Sequence, residues 1–211
     1  MSKRLSTALL SDALDALGYE KQVLAPGIRP LDDATVMLGY ARTGLYRQVF
    51  QRPTSGNPYE MEMRLVDDLK PGEVLVLACP GLGRLAPWGE LLTTAAIGRG
   101  AVGCLTDGMV RDVRQVRTLG FPVFHGGIGP LDVQGRGEVA EMDVAVECAG
   151  VRITPGDIIF GDVDGVIVVP AAIAEKAIAG VLKKSEKETD ARKELLQGAS
   201  LKDVYERYKV L

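Results

Sequence analysis

The chain has 211 residues, 46% hydrophobic and 25% charged, with 25 Lys and Arg against 28 Asp and Glu. A chain of this size hides roughly 70% of its unfolded surface on folding, so it needs neither a disulfide framework nor a structural metal, and a formal charge of −3 argues against nucleic-acid binding by bulk attraction. The one histidine, His125, rules out an H-E-x-x-H zinc helix and makes a zinc site of several imidazoles untenable.

In chain order, Ser6 or Thr7 caps a first helix whose apolar stripe is Leu9, Leu10, Ala13, Leu14 and Leu17, ended by Gly18. A Pro- and Gly-containing connector (25–30) precedes a predicted strand over 35–43. Asn57-Pro58 signals a helix start, an N-cap followed by proline at the first helical position, and that helix is expected to run to Leu69. Glu73 to Cys79 is a short apolar run, the pattern of a buried strand. A glycine-rich loop (80–88), a helix (90–97) and a strand (101–105) follow, the strand ending in a sharp Asp107-Gly108 turn. A helix over 112–119 and a strand over 121–125 come next. Short strands are predicted at 144–148, 151–153, 157–160 and 166–169, separated by turn residues. Two helices, 171–182 and 185–196, and a last short one at 201–208 complete the chain.

This alternation reads as one mixed α/β domain over 1–211, with a core at about 5–170 and C-terminal helices at about 171–208. Lys3-Arg4 imitates a basic leader, but Ser6, Ser11, Asp12 and Asp15 interrupt the apolar run a signal peptide needs. No run of about 18 apolar residues occurs, so a membrane span is not expected and the cytoplasm is the default location. Cys79, Cys104 and Cys148 have no C-x-x-C spacing and read as small core residues of a reducing compartment.

Several motifs are decoys. Gly98 to Gly103 spells G-x-G-x-x-G, but a helix precedes it and a strand follows, the reverse of a dinucleotide-binding turn. His125-Gly126-Gly127 lacks the G-x-S-x-G nucleophile that an oxyanion loop would serve. Trp88 reads as a packing residue. The lysines fall at termini, turns or the C-terminal helices, never inside an apolar strand, which tells against imine chemistry on a desolvated lysine. Electrophilic catalysis would instead need a hard metal ion on oxygen ligands.

The informative segment runs from Pro87 to Asp112. Gly89 to Leu92 open a short helix, where unpaired backbone N–H groups hold anions. Arg111-Asp112 follow a strand end, and Glu90 and Asp112 share the region with that fixed cation. A carboxylate beside an arginine stays ionised and can bind Mg²⁺, although an Arg-Asp pair also serves as a plain surface ion pair.

Glu90, twenty intervening residues and Arg111-Asp112 resemble the acid-x20-Arg-Asp signature of the RraA-like family, which includes class II 4-hydroxy-4-methyl-2-oxoglutarate aldolases with oxaloacetate decarboxylase activity. Asp107-Gly108-Met109-Val110-Arg111-Asp112 is similar to the family's D-G-x-x-R-D turn. Pro155-Gly156-Asp157 and Asp162 to Pro170 are similar to its P-G-D…D-x-D-G-V-x-V-V-P strand pair. The resemblance implies a single-domain β/β/α sandwich of the swivelling-domain kind, with helical extensions at both ends. It also implies a homotrimer, sometimes a hexamer, with sites between subunits.

By residue match, Asp112 would be the ligand to Mg²⁺ or Mn²⁺, with no organic cofactor. Arg111 would bind the 2-oxo acid and stabilise the enolate oxygen. Backbone N–H groups of Gly89, Glu90, Leu91 and Leu92 would hold the substrate carboxylate. Glu90 would bond a water on the metal and assist proton transfer. Glu188, or its neighbour Glu186, would come from a partner subunit's C-terminal helix. The implied function is a pyruvate-releasing lyase, acting by retro-aldol cleavage or by decarboxylation. The alternative is a non-catalytic regulator binding a ribonuclease E-like partner, although the family's namesake lacks the Arg-Asp pair kept here. A menaquinone methyltransferase would need a nucleotide loop that this chain lacks. One departure stands out: the aldolases carry Asp at the position of Glu90. The extra methylene moves the carboxylate by about a bond length, and a displacement of about 1 Å can cost about 100-fold in rate.

Overall fold

The computed structural model describes residues 5–51 and 56–210; Lys3 and Arg4 lie outside them. Helix α1 (Thr7–Asp15) begins at Ser6, whose Oγ accepts a hydrogen bond from the Leu9 N–H at 3.2 Å. Strand β1 (Arg29–Pro30) leads into the long β2 (Met37–Gln48), followed by α2 (Glu60–Asp67), β3 (Glu73–Ala78), α3 (Glu90–Gly98), β4 (Gly103–Val110), α4 (Val113–Leu119) and β5 (Val123–Ile128). Strands β6 (Gly137–Met142), β7 (Val146–Cys148), β8 (Val151–Ile153), β9 (Ile158–Asp162) and β10 (Gly165–Val169) come next. The chain closes with α5 (Ala174–Leu196) and α6 (Leu201–Tyr208).

Strands β2 to β5 are mutually parallel, joined through α2, α3 and α4. The sheet order is β1-β5-β4-β3-β2-β9-β10, with β6 paired to the distal half of β2. The sheet curls until the segment before β1 meets β10: Leu24 N–H donates to Val166 C=O at 3.0 Å and Val168 N–H to Gln22 C=O at 2.9 Å. It is therefore nearly closed. Both of its faces are buried, which is why β3 is a continuous apolar run. Leu75 and Leu77 pack with Leu65 and Val66 of α2, Ala96 of α3 and Val116 of α4. Val74, Val76 and Ala78 point the other way, onto the β7–β8 hairpin through Val146, Cys148, Val151 and Ile153. Hairpin, sheet and helices make the three layers of the β/β/α sandwich. Helices α1 and α5 form a satellite cluster over β9 and β10, with Leu10, Leu14, Phe160, Val169, Ala177 and Val181. Among the described residues no helix is long and apolar enough to cross a membrane. The three cysteines are free and buried.

Four expectations are corrected. Asp107-Gly108 does not end β4, which runs on to Val110 with an irregularity between Thr106 and Met109. Asp107 holds that bulge, its carboxylate accepting from Cys79 N–H at 2.6 Å and Ala149 N–H at 3.3 Å. Helix α2 starts at Glu60, not Asn57; the Asn57 side chain accepts from Tyr59 N–H at 3.0 Å in a turn just before it. The two predicted C-terminal helices are one, α5, because Ser185 is no breaker and simply lends its C=O to Thr189 Oγ1. A short 3-10 turn (Ala171–Ile173) precedes α5. Strand β6 occupies Gly137–Met142, a stretch for which the sequence pattern gave no strand bounds.

Candidate active site

The C-terminal ends of parallel strands are where side chains and free helix N-termini converge in α/β folds. Here the end of β4 delivers Arg111 and Asp112 to the start of α3. Gly89 occupies the N-cap position in extended backbone. A Cβ there would lie 2.7 Å from Asp112 Oδ2 and 3.1 Å from Arg111 Cγ, so a larger residue would displace the Asp112 carboxylate. The absence of a Cβ lets Glu90 N–H point at Asp112 Oδ2, 3.3 Å away. The first-turn N–H groups of Leu91 and Leu92 have no acceptor within the helix. The loop before α3 is fixed against β4 by Arg111 N–H donating to Trp88 C=O at 2.9 Å. Trp88 itself is fully buried and stacks on Phe121, ring centroids 6.3 Å apart.

Asp112 adopts left-handed backbone, φ 54° and ψ 34°, a region where Asp and Asn are enriched because their short polar side chains tolerate it. The turn leaves its side chain 47% exposed, with Oδ2 3.8 Å from Arg111 Nε. Arg111 reaches the other way to Asp132, Nη1 to Oδ1 at 3.0 Å. Tyr59 OH donates to the second oxygen of Asp132 at 2.5 Å. Burial raises the Asp132 pKa, but the Tyr59 hydrogen bond, the Arg111 charge and two backbone N–H groups outweigh it and hold the carboxyl below its ordinary value. The same hydrogen bond, followed by burial and the Asp132 charge, pushes Tyr59 up to about 12. These groups line a cleft of about 430 Å³ with Glu62, Met63, Val66, Leu91, Leu92 and Ala95.

The structure thus brings Gly89, Glu90, Leu91, Leu92, Arg111 and Asp112 into one cleft. Glu90 turns its carboxylate toward Thr94, whose Oγ1 donates to Oε1 at 3.1 Å. Glu188 is not among the lining residues of this chain; it sits on α5, 4.0 Å from Lys184 Nζ, which also pairs with Asp12. Glu186 lies on the same helix. His125 lies in β5 opposite Arg29 and away from the cleft, its pKa lowered by burial and by Arg117. Sequence reasoning missed Asp132, Tyr59 and Glu62. Asp132 stands in a loop without a motif, and only the path of the chain after β5 carries it to Arg111.

Glu62 is buried against Tyr46, whose OH donates to Oε1 at 2.6 Å. Burial raises its pKa to about 7, the Tyr46 bond and Arg111 opposing and Asp132 adding to the rise. The fold therefore favours protonated Glu62. Its contribution to stability is intact below the ordinary value of 4.5 and is lost as pH rises to about 7, a loss of about 3 kcal/mol at most. Glu62→Gln keeps an acceptor for Tyr46 and removes the titration. Urea unfolding of this variant should show a smaller fall in stability between pH 5 and pH 8 than the parent; an unchanged fall would assign the pH dependence to other groups.

Among the described residues no three His, Cys, Asp or Glu side chains cluster as a metal cage. A cage is not what a hydrated Mg²⁺ site needs: one or two carboxylates suffice, with water and substrate oxygens supplying the rest. The exposed Asp112 carboxylate, with a single weak N–H bond on Oδ2, fits that donor set.

The strand ends of this β/β/α sandwich thus carry a fixed arginine, an adjacent exposed carboxylate and the first turn of α3. Comparison with known proteins gives it a family. The model for the RraA-like family (Aldolase/RraA) matches residues 7–168, and the chain belongs to that family. Protein DlpA of Legionella pneumophila is 30% identical over 203 residues, 96% of this chain but 32% of DlpA, so the chain spans about a third of that relative. A Halalkalibacterium halodurans protein named "putative 4-hydroxy-4-methyl-2-oxoglutarate aldolase" is 30% identical over 190 residues, 90% of this chain and 84% of that protein. The crystal structure of Streptomyces coelicolor RraAS2, an unusual member of the RNase ES inhibitor RraA protein family, superposes with a TM-score of 0.78 at 28% identity, covering 90% of this chain and 92% of RraAS2.

Proposed function

We propose that the protein is a lyase that releases pyruvate from 2-oxo acids, by retro-aldol cleavage of 4-hydroxy-2-oxo acids or decarboxylation of oxaloacetate. The observation that carries this reading is the convergence of Arg111, Asp112 and the start of α3 in one cleft. Both reactions leave the same pyruvate enolate, so one site can serve both. The substrate carboxylate meets the first-turn amides of Leu91 and Leu92, which have no acceptor within the helix and lie at the positive end of its dipole. Arg111 sits where negative charge develops on the C2 oxygen, held there by Asp132 and Tyr59. Asp112, with solvent and substrate oxygens, would hold Mg²⁺ or Mn²⁺. Such an ion supplies Lewis acidity at the keto oxygen. Glu90, its carboxylate restrained by Thr94, would assist proton transfer at C3. Glu188 of a neighbouring copy in a homotrimer or hexamer remains part of this proposal.

The test is pyruvate release from oxaloacetate and a panel of 4-hydroxy-2-oxo acids with Mg²⁺ or Mn²⁺, measured against the metal-only background and after EDTA. Stimulated release abolished by EDTA is expected. No release above background with any divalent ion would sink the lyase reading. The likeness to RraAS2 would then favour a non-catalytic role through binding of a ribonuclease.

A further inference from the structure

One buried acid borders two spaces. Behind the cleft, the start of α2 and strand β6 enclose a second cavity of about 300 Å³, polar and open to solvent, with Tyr46, Arg47, Glu60 and Glu138 in its wall. Among the described residues, Glu62 is the one side chain that lines both this cavity and the cleft. It is 8% exposed, and its Oε1 accepts from Tyr46 OH at 2.6 Å, which fixes the carboxyl in the partition. Among the described residues Oε2 meets no hydrogen-bond partner, yet it is not sealed from solvent. The charged groups around Glu62 are Asp132 and Arg111 on the cleft side, and Glu60 and the Arg47–Glu138 ion pair on the other; Arg52 lies outside the described residues. A carboxyl that passes protons cycles through both of its forms, so it serves from either resting state, and best when both are reached near the working pH.

The two reactions proposed above differ in their need for such a group. In retro-aldol cleavage the C4 hydroxyl gives up a proton and C3 gains one, so the cleft needs none from outside. In decarboxylation the C3–C4 bond breaks, its electron pair passes into the enolate and CO₂ leaves. The enolate then forms a C3–H bond with a proton that the substrate does not carry. Each turnover therefore draws one proton from solvent. The geometry points to Glu62 as the relay that brings it in: the carboxyl releases its proton to the cleft, the O–H electron pair stays on the carboxylate, and water of the second cavity protonates it again. Nothing is oxidised or reduced. This rests on the lyase reading and adds a residue to it. A partner subunit over the cleft mouth would leave the second cavity as the route to bulk water, which makes the relay more necessary in an assembly.

The experiment compares kcat for pyruvate release from oxaloacetate and from 4-hydroxy-4-methyl-2-oxoglutarate, above the metal-only background, for the parent and Glu62→Gln. It uses the isolated assembly with Mg²⁺ between pH 6 and pH 8. Gln still accepts from Tyr46 OH but has no proton to pass. The ratio of decarboxylation to retro-aldol cleavage should fall by about tenfold or more in the variant, the low end of what a positioned acid contributes. Parent decarboxylation should also decline as pH rises through this range, because the proton-bearing form of Glu62 is lost, and the variant should lack that limb. A ratio does not change with a general loss of active protein. Equal losses in both reactions, no loss in either, or the same pH limb in both proteins overturns the relay and leaves the lyase reading standing. If the parent turns over only oxaloacetate, the pH limb decides; if only the hydroxy acid, deuterium exchange at C3 of pyruvate in D₂O replaces decarboxylation in the ratio. Turnover of neither substrate by the parent overturns the lyase reading, and the relay with it.

Discussion

Arg111→Lys should lower kcat for pyruvate release by about 100- to 1,000-fold, the usual cost of removing a donor aimed at developing oxyanion charge. The reason lies in the fork. Nη1 is engaged with Asp132 at 3.0 Å while Nε faces Asp112 at 3.8 Å, so the guanidinium is held between two carboxylates. An ammonium is a point charge without that planar geometry; drawn to either carboxylate, it leaves the reacting oxygen. Asp132→Asn isolates the positioning part of this effect. It weakens the clamp but keeps Arg111, and outer residues of this kind typically cost about 10- to 100-fold. If Arg111→Lys retains more than a tenth of the parent kcat, the arginine is a structural ion-pair partner and the proposed oxyanion role is wrong.

Asp112→Asn should be as severe and should change a second observable. The substitution retains a residue that tolerates left-handed backbone at φ 54°, and its amide oxygen can still accept from Glu90 N–H. Folding is therefore preserved while the anionic ligand is lost. A divalent ion is worth several kcal/mol of charge stabilisation, so kcat should drop by about 1,000-fold or more. Mn²⁺ binding measured by calorimetry should weaken in parallel. Full Mn²⁺ affinity in a folded, inactive variant would move the metal ligand elsewhere; full activity would remove Asp112 from the site altogether.

The chemistry-bearing residues that sequence reasoning singled out and those it missed differ in a consistent physical way. Gly89, Glu90, Arg111 and Asp112 lie within one strand–helix–strand passage, so local rules about helix starts and strand ends were enough to group them. The spacing between Glu90 and Arg111-Asp112 spans α3 and β4, a connection that parallel pairing of β3 with β4 brings back to the same end of the sheet. Glu62 comes from α2, Tyr59 from the turn just before it and Asp132 from a loop beyond β5, and no local pattern marks them. They become neighbours of Arg111 only because the helices pack on one face of the sheet.

The same division runs through the fold. The sequence by itself determined the apolar runs of β3, β4 and β10, the Ser6 cap of α1 and the turn glycines, because burial on both faces and backbone conformation act over a few residues. It also determined what the site would lack, since one histidine and lysines outside the strands leave carboxylates, an arginine and backbone amides to carry any chemistry. Only the tertiary structure decided that β4 continues through Asp107-Gly108. That outcome depends on Cys79 and Ala149, which are 28 and 42 residues away in sequence, donating to the Asp107 carboxylate. Only the tertiary structure, likewise, set Asp132 and Tyr59 beside Arg111. Electrostatic balance in a cleft is a sum over elements that pack together, and the order of residues along a chain does not display it.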